Sequence, residues 1–332
     1  MSESVRALPD ADAASCEEVL SGFCFAAVTD PDRLRDTLEA EAHAGNLLGT
    51  VLIADEGINL SVLGAPSSLD RFERALRAIP AFAGLRGRRS ASFGRQAFRR
   101  LKVRRRREIV SLGRDQDPLE HAGARRVAPD AWHELLADPE VLVIDVRNRY
   151  EVAAGSFPGS IDPGTEGFRE FPAWVEANLD PGSGRTIAMF CTGGIRCEKA
   201  AAWMRGRGFG DVRELDGGIL AYLETVPAAQ SRWEGDCFVF DDRVSLREGL
   251  VRGELETCHG CRRPLTPEDR ASNAFESGVS CPACIDTTTA EGLAGRRERR
   301  RQVALAQQRG REHLAPVPDE GGRSPVPRRE LS

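Results

Sequence analysis

The run TIAMF-CTGGIRC-EKAAAWM, Thr186 to Met204, decides the fold. Its short apolar opening reads as a buried strand, and the alanine-rich stretch after Cys197 reads as a helix. Between them Cys191 and Thr192 precede Gly193 and Gly194, which free the backbone to curl so that successive N–H groups point inward. Thr192, Gly193, Gly194 and Ile195 thus supply the backbone of an anion-binding loop. The start of the helix adds partial positive charge, and Arg196 adds a permanent one. Such a cup lowers the pKa of Cys191 and steadies a thiolate, a persulfide or a bound oxyanion. The alternative is a structural cysteine packed before a glycine-rich turn, and the flanking sequence decides between them.

Upstream, VLVIDVRNRYE (Val141 to Glu151) is a buried strand that ends in Asp145 and Arg147, both placed to support the loop. Downstream, DVRELDGGI (Asp211 to Ile219) is another strand, running into Gly217 and Gly218. Strands alternating with helical segments specify a doubly wound parallel sheet, whose sites gather at the carboxyl ends of the strands. Together these stretches resemble the rhodanese fold, and the resemblance puts Cys191 at the persulfide-carrying position.

The chain has 332 residues, enough for two domains with cores of their own. No apolar run approaches the roughly 20 residues of a membrane span. The opening MSESVRALPDADAASCEE lacks a hydrophobic signal core, so a cytoplasmic location without membrane contact is expected. Nine cysteines in such a chain point to catalysis and metal rather than disulfides.

Net charge is −5, yet from Arg86 to Arg114 eleven arginines and one lysine face a single acid, Glu108. That segment seeks phosphates. Arg99, Arg100, Lys102, Arg104, Arg105, Arg106 and Arg107 are its candidate RNA-binding side chains, with Phe93 and Phe98 interleaved as stacking surfaces. A charged edge strand protected from aggregation is the lesser alternative for the four consecutive arginines. The whole chain holds only two lysines, Lys102 and Lys199, against 44 arginines, which reads first as codon bias.

In order, residues 1–18 form a polar leader expected to be disordered. Residues 19–114 carry β-α-β-β-α-β with one extra strand, the arrangement of a ferredoxin-like or acylphosphatase-like domain. Its first strand is placed at CFAAVTD, Cys24 to Asp30. A linker follows at 115–125, then the rhodanese-like domain at 126–228, whose FREFPAWV helix brings Arg169, Glu170 and Phe171 either to the loop or into packing. Residues 229–290 form an arm with two CxxC pairs, Cys258 with Cys261 and Cys281 with Cys284, separated by nineteen residues. This spacing signals tetrahedral zinc, and a closed four-cysteine site is structural; four reduced cysteines or a degenerate site are the alternative. An Arg-rich helix and a disordered tail complete residues 291–332.

A narrower resemblance rests on ADEGIN (Ala54 to Asn59), KVRRRREIV (Lys102 to Val110), IDVRNRYEVAAGSF (Ile144 to Phe157), FREFPAWV (Phe168 to Val175), MFCTGGIRCEKA (Met189 to Ala200), GGILAYLE (Gly217 to Glu224), WEGDCFVFDDRV (Trp233 to Val244) and the two CxxC segments. The sequence is similar to the rhodanese-domain tRNA uridine hydroxylases, which convert the wobble uridine to 5-hydroxyuridine. The resemblance implies Cys191 as the active cysteine, molecular oxygen as co-substrate, and tRNA held by its anticodon arm as partner. It departs at LSVLGA (Leu60 to Ala65), where a glycine and a small polar residue are expected. FPGSI (Phe157 to Ile161) stands where simple rhodaneses have an isoleucine-proline-glycine turn, and fits the hydroxylase branch better than the classical thiosulfate enzymes.

The residues alone lead only to sulfur transfer, with a persulfide on Cys191 passing to a small thiol, a protein or RNA. They contain no two-histidine-one-carboxylate cluster and no dinucleotide fingerprint, so no nucleotide cofactor is expected, and they name no protein partner. Arg196 is expected to stabilise negative charge at Cys191. Cys197 either resolves an oxidised Cys191 as a disulfide or packs the first helical turn.

Overall fold

Residues 17–93, 97–114 and 125–309 are described by the computed structural model. The leader and the linker fall almost wholly outside them, as does the tail after Arg309.

The first domain begins with β1 (Glu18–Phe25) and α1 (Pro31–Ala44), where Asp30 accepts a hydrogen bond from the Arg33 amide at 2.9 Å and Pro31 occupies the first helical turn. β2 (Leu48–Ala54), β3 (Gly57–Gly64), α2 (Pro66–Arg77), β4 (Arg86–Ala91) and β5 (Leu101–Arg105) follow. The sheet runs β4-β1-β3-β2-β5, antiparallel except for β2 with β5, as expected for an acylphosphatase-like domain. β1 lies earlier than the sequence suggested. Its ladder with β3 ends at Phe25 opposite Gly57, and beyond it Ala26 and Val28 reach only the carbonyls of the turn at Glu56 and Asp55.

The period of two along the strands divides this sheet into two faces. Leu20, Val51, Ile53, Ile58, Leu60 and Val62 pack with Leu38, Leu69, Phe72 and Leu76 of the helices. Ser21, Phe23 and Phe25 alternate with Leu20 and Cys24, and so occupy the opposite face.

The second domain contains β6 (Arg125–Val127), α3 (Trp132–Ala137), β7 (Leu142–Asp145), α4 (Arg149–Val152), β8 (Gly155–Ser156), α5 (Phe171–Asn178), β9 (Ile187–Phe190), α6 (Ile195–Arg205), β10 (Val212–Leu215) and α7 (Gly218–Thr225). β6-β10-β9-β7 form a wholly parallel sheet. Its alternate residues feed two cores. Ile144 and Met189 pack with Phe171 and Trp203 on one side, while Val143, Ala188 and Phe190 pack with Trp132, Phe157 and Tyr222 on the other. This is the doubly wound architecture the alternating pattern required. Trp233, Cys237, Val239 and Leu246 of the following arm join the second core.

Among the described residues, Cys258–Cys261 and 269–309 form a separate compact unit, which includes the helix Ala290–Gln308. Among the described residues no helix is long and apolar enough to cross a membrane.

Candidate active site

Cys191 follows the last residue of β9, and α6 begins four residues later. Gly194 turns the chain with φ +98°, a left-handed conformation costly for any residue with a side chain, and its N–H donates to Cys191 Sγ at 3.1 Å. The loop is fixed from below by the first turn of α7: Ile219 N–H donates to the Cys191 carbonyl at 2.9 Å and Leu220 N–H to the Thr192 carbonyl at 3.0 Å. Gly218 permits this approach, because a Cβ there would lie 2.4 Å from the Cys191 carbonyl oxygen.

Burial alone would push the Cys191 thiol upward. It is outweighed by a hydrogen bond from Cys197, the charge of Arg196 and the amides of Cys197 and Arg196, which together bring the pKa down to about 6. The partner moves oppositely: burial, then the interaction with Cys191, keeps Cys197 well above the ordinary thiol range. Cys197 therefore remains a thiol that donates to a thiolate at neutral pH. Cys191 has 0% exposure, so the anion is held beneath its loop.

Arg196 acts through a side chain that the sequence did not single out. Its Nη1 and Nη2 bond the two carboxylate oxygens of Glu151 at 2.7 and 2.8 Å, and Nη2 also reaches Thr192 Oγ1 at 3.3 Å. Glu151 is fully buried, and despite that burial Arg196 holds its carboxyl below the ordinary range. The fork thus orients Arg196 and fixes Thr192 as well. Asp145 and Arg147 form a second buried fork, at 2.9 and 2.6 Å, joined by Ser156 Oγ at 2.8 Å. Neither lines the cavity over Cys191; they brace the strand end from behind.

That cavity measures about 1250 Å³. One wall is the Cys191 loop with Glu214 and Asp216; the facing wall is the open sheet face of the first domain, with Phe23, Phe25, Thr50, Asn59 and Ser61. Phe168, Arg169 and Glu170 also line it, whereas Phe171 lies in the core. Glu214 is buried, and burial followed by the charge of Glu198 raises its carboxyl to about 8 against the opposing pull of Arg126. Arg126 Nε donates to its Oε1 at 3.1 Å, while Oε2 has no partner among the described residues.

The two domains are joined by Lys199, another residue not expected at the site. Its ammonium donates to both oxygens of Glu56 at 2.8 Å, to Glu108 at 2.6 Å and to the Val110 carbonyl at 2.9 Å. Glu56 is the glutamate of the ADEGIN turn and also accepts from the Ile109 amide at 2.7 Å.

The basic segment is divided by the sheet, because β4 and β5 lie on opposite edges. Arg86 pairs with Asp216 at 3.1 Å, Arg88 with Glu224, Arg89 with Asp70 at 2.7 Å, and Arg99 with Asp242 at 3.5 Å. Arg105 pairs with Asp32 at 2.7 Å. Much of the local positive charge is therefore matched by acids from distant segments. Arg99, Arg100, Arg104, Arg105, Arg106 and Arg107 are exposed and Lys102 is half-buried. Burial, then the neighbouring charges of Arg100, Arg104 and Arg262, lowers the Lys102 pKa. Phe93 is 39% exposed, and Phe98 lines the cavity.

In the second unit, the sulfurs of Cys258, Cys261, Cys281 and Cys284 all lie within 4.8 Å of one another. Cys261 to Cys281 is 3.7 Å and Cys258 to Cys284 is 4.0 Å. A tetrahedral ion with sulfur ligands at about 2.3 Å has edges of about 3.8 Å. The four thiols therefore fit a metal ion.

Comparison with known proteins matches the same two domains. Residues 17–109 fit the UPF0176 acylphosphatase like domain and residues 128–225 the Rhodanese-like domain. The tRNA uridine(34) hydroxylase of Brucella anthropi is 48% identical over 87% of this chain and 94% of its own length. That of Brucella ovis is 47% identical over the same shares. With this identity sustained through both domains, the chain belongs to the tRNA uridine(34) hydroxylase family.

Proposed function

We propose that this protein hydroxylates the uridine at position 34 of tRNA, with molecular oxygen as co-substrate and Cys191 as the reactive group. The observation that carries this reading is a thiol with a pKa of about 6 at the base of a cavity of about 1250 Å³ walled by both domains. At neutral pH the cysteine is ionised, and carbon 6 of uracil is the position of that ring which accepts a nucleophile. Bonding there raises electron density at carbon 5, the atom to be hydroxylated. Arg196 and the loop amides hold the sulfur anionic before attack and receive its charge when the bond is released. The related Brucella proteins carry this activity in their names.

The anticodon arm is the part of tRNA that must approach the cavity, and exposed Arg104 to Arg107 on and after the edge strand suit its phosphates. Cys258, Cys261, Cys281 and Cys284 would hold zinc, which supplies a structural crosslink and no chemistry at the uridine. A cytoplasmic location follows from the tRNA substrate.

The test is nucleoside mass spectrometry of tRNA from cells lacking the protein, complemented with wild type or Cys191→Ala. Loss of 5-hydroxyuridine, restored only by the wild type, is expected. The amide cup around a low-pKa thiol also favours a second reading, sulfur transfer from a Cys191 persulfide. An unaffected modification with an altered sulfane-sulfur pool would select it.

A further inference from the structure

The wall facing Cys191 contains two aromatic rings that the packing of their own domain does not require. Phe23 and Phe25 alternate along β1 with Leu20 and Cys24, which serve the helix-covered core; their rings lie on the open face, edge to face with centroids 5.9 Å apart. Both are half-buried cavity-lining residues set among Ser21, Thr50 and Asn59. Phe23 reaches the catalytic loop: its ring lies 3.7 Å from where a Cβ on Gly194 would stand. Gly194 is the residue whose amide holds Cys191 Sγ.

Size favours a polymeric occupant. Pockets for drug-sized ligands run to roughly 300–1,000 Å³. The present cavity of about 1250 Å³ exceeds that range, and a single uracil would leave most of it unfilled. Single-stranded RNA is recognised by splaying its bases onto aromatic side chains of an open sheet face, with phosphates held at the rim. This face has those parts in that order. Aromatic rings lie on β1, an interior strand between β4 and β3, and Lys102 and Arg104 lie on edge strand β5, in register with Thr50 and Leu52 of the same face.

We propose that Phe23 stacks on the uracil presented to Cys191, and that Phe25 carries the adjoining base of the same single-stranded loop. The inference rests on the hydroxylase reading and adds the residues that position its substrate. Phe23 is a positioning residue: the flat ring orients the uracil plane relative to the loop, while the bond-making group remains Cys191.

Phe23→Leu keeps an apolar contact with Gly194 but removes the flat ring, and Phe23→Tyr keeps the ring. Leucine should lower kcat/KM for tRNA roughly 5- to 150-fold, the worth of one base–aromatic stack, without moving the pH profile of Cys191 alkylation. Tyrosine should restore at least most of the rate. In parallel, an anticodon stem-loop carrying 5-iodouridine at position 34 is irradiated with the wild-type protein, and the adduct should map to Phe23. Hydroxylation that is insensitive to Phe23→Leu, a tyrosine variant as poor as leucine, or an adduct mapped elsewhere overturns the stacking assignment while the hydroxylase reading stands. An adduct at Phe23 in a wild-type protein that does not hydroxylate tRNA supports the stack and overturns the activity. Neither adduct nor hydroxylation overturns both.

Discussion

Lys199→Met is the most informative single perturbation of the architecture. The side chain has 3% exposure, and the three N–H groups of its ammonium face four oxygens at 2.6–2.9 Å, two of Glu56, one of Glu108 and the Val110 carbonyl. Methionine matches the length and apolar stem of lysine but leaves two carboxylates facing each other in a largely desolvated space. Breaking a buried ion pair by removing one partner costs about 3–5 kcal/mol. Here the substitution strands two acids, which places the expectation in the upper part of that range. Urea unfolding followed by tryptophan fluorescence reads the change, since buried Trp203 lies on the same helix as Lys199. Burial works against Glu108, but its bonds with Lys199 and with the Leu112 and Gly113 amides hold its carboxyl below the ordinary value. The contribution is consequently complete at neutral pH and is lost as the pH falls below about 4. The triple variant Lys199→Met, Glu56→Gln, Glu108→Gln removes the stranded charges and should recover most of the loss. A single variant within about 0.5 kcal/mol of the wild type, or a triple variant no better than the single one, would refute the account.

Alkylation of Cys191 by iodoacetamide should rise with a midpoint near pH 6, yet proceed slowly, because the sulfur is ionised but covered; a midpoint near the ordinary thiol value of about 8.5 contradicts the cup. Cys197→Ala should move that midpoint upward by removing a donor to the thiolate. Charge reversal across Arg104 to Arg107 should weaken tRNA binding and flatten its dependence on salt by about 0.7–0.9 in log–log slope for each phosphate that is no longer neutralised. An unchanged slope would leave the segment its edge-strand role alone. The purified chain should carry one zinc per molecule by elemental analysis; a metal-free preparation with the four thiols intact overturns the zinc assignment.

The loop, the parallel sheet and the four-cysteine cluster were legible because each is written locally, in a strand, a glycine pair or a fixed cysteine spacing. The partners of the charged residues were not, since they come from far along the chain. Glu151 lies 45 residues before Arg196, and its local signal was only the cap it forms with Asn148 in NRYE. Lys199 left a better trace. In a chain that uses arginine 44 times, Lys199 stands where a compact ammonium suits converging carboxylates better than a planar fork. The basic segment misled in the opposite sense. Composition counts its arginines but does not show that Arg86, Arg88 and Arg89 are met by Asp216, Glu224 and Asp70.

Those pairings also explain why the chain carries an acylphosphatase-like domain ahead of its cysteine loop. A small thiol acceptor needs only the cup of amides, which the second domain builds from its own β9, α6 and α7. The first domain contributes nothing to that cup. Its ion pairs from Arg86 and Arg88, and the Lys199 latch from Glu56 and Glu108, instead hold an open sheet face against the loop and enclose the space between them. The helices of a ferredoxin-like sheet cover one face and leave the other for a partner. Here that second face lines the cavity and brings Phe23 beside Gly194. Fixing two domains through the buried Lys199 ion pairs to make one cavity is costly for a sulfur carrier and suits the proposed reaction, in which the base is met from both sides.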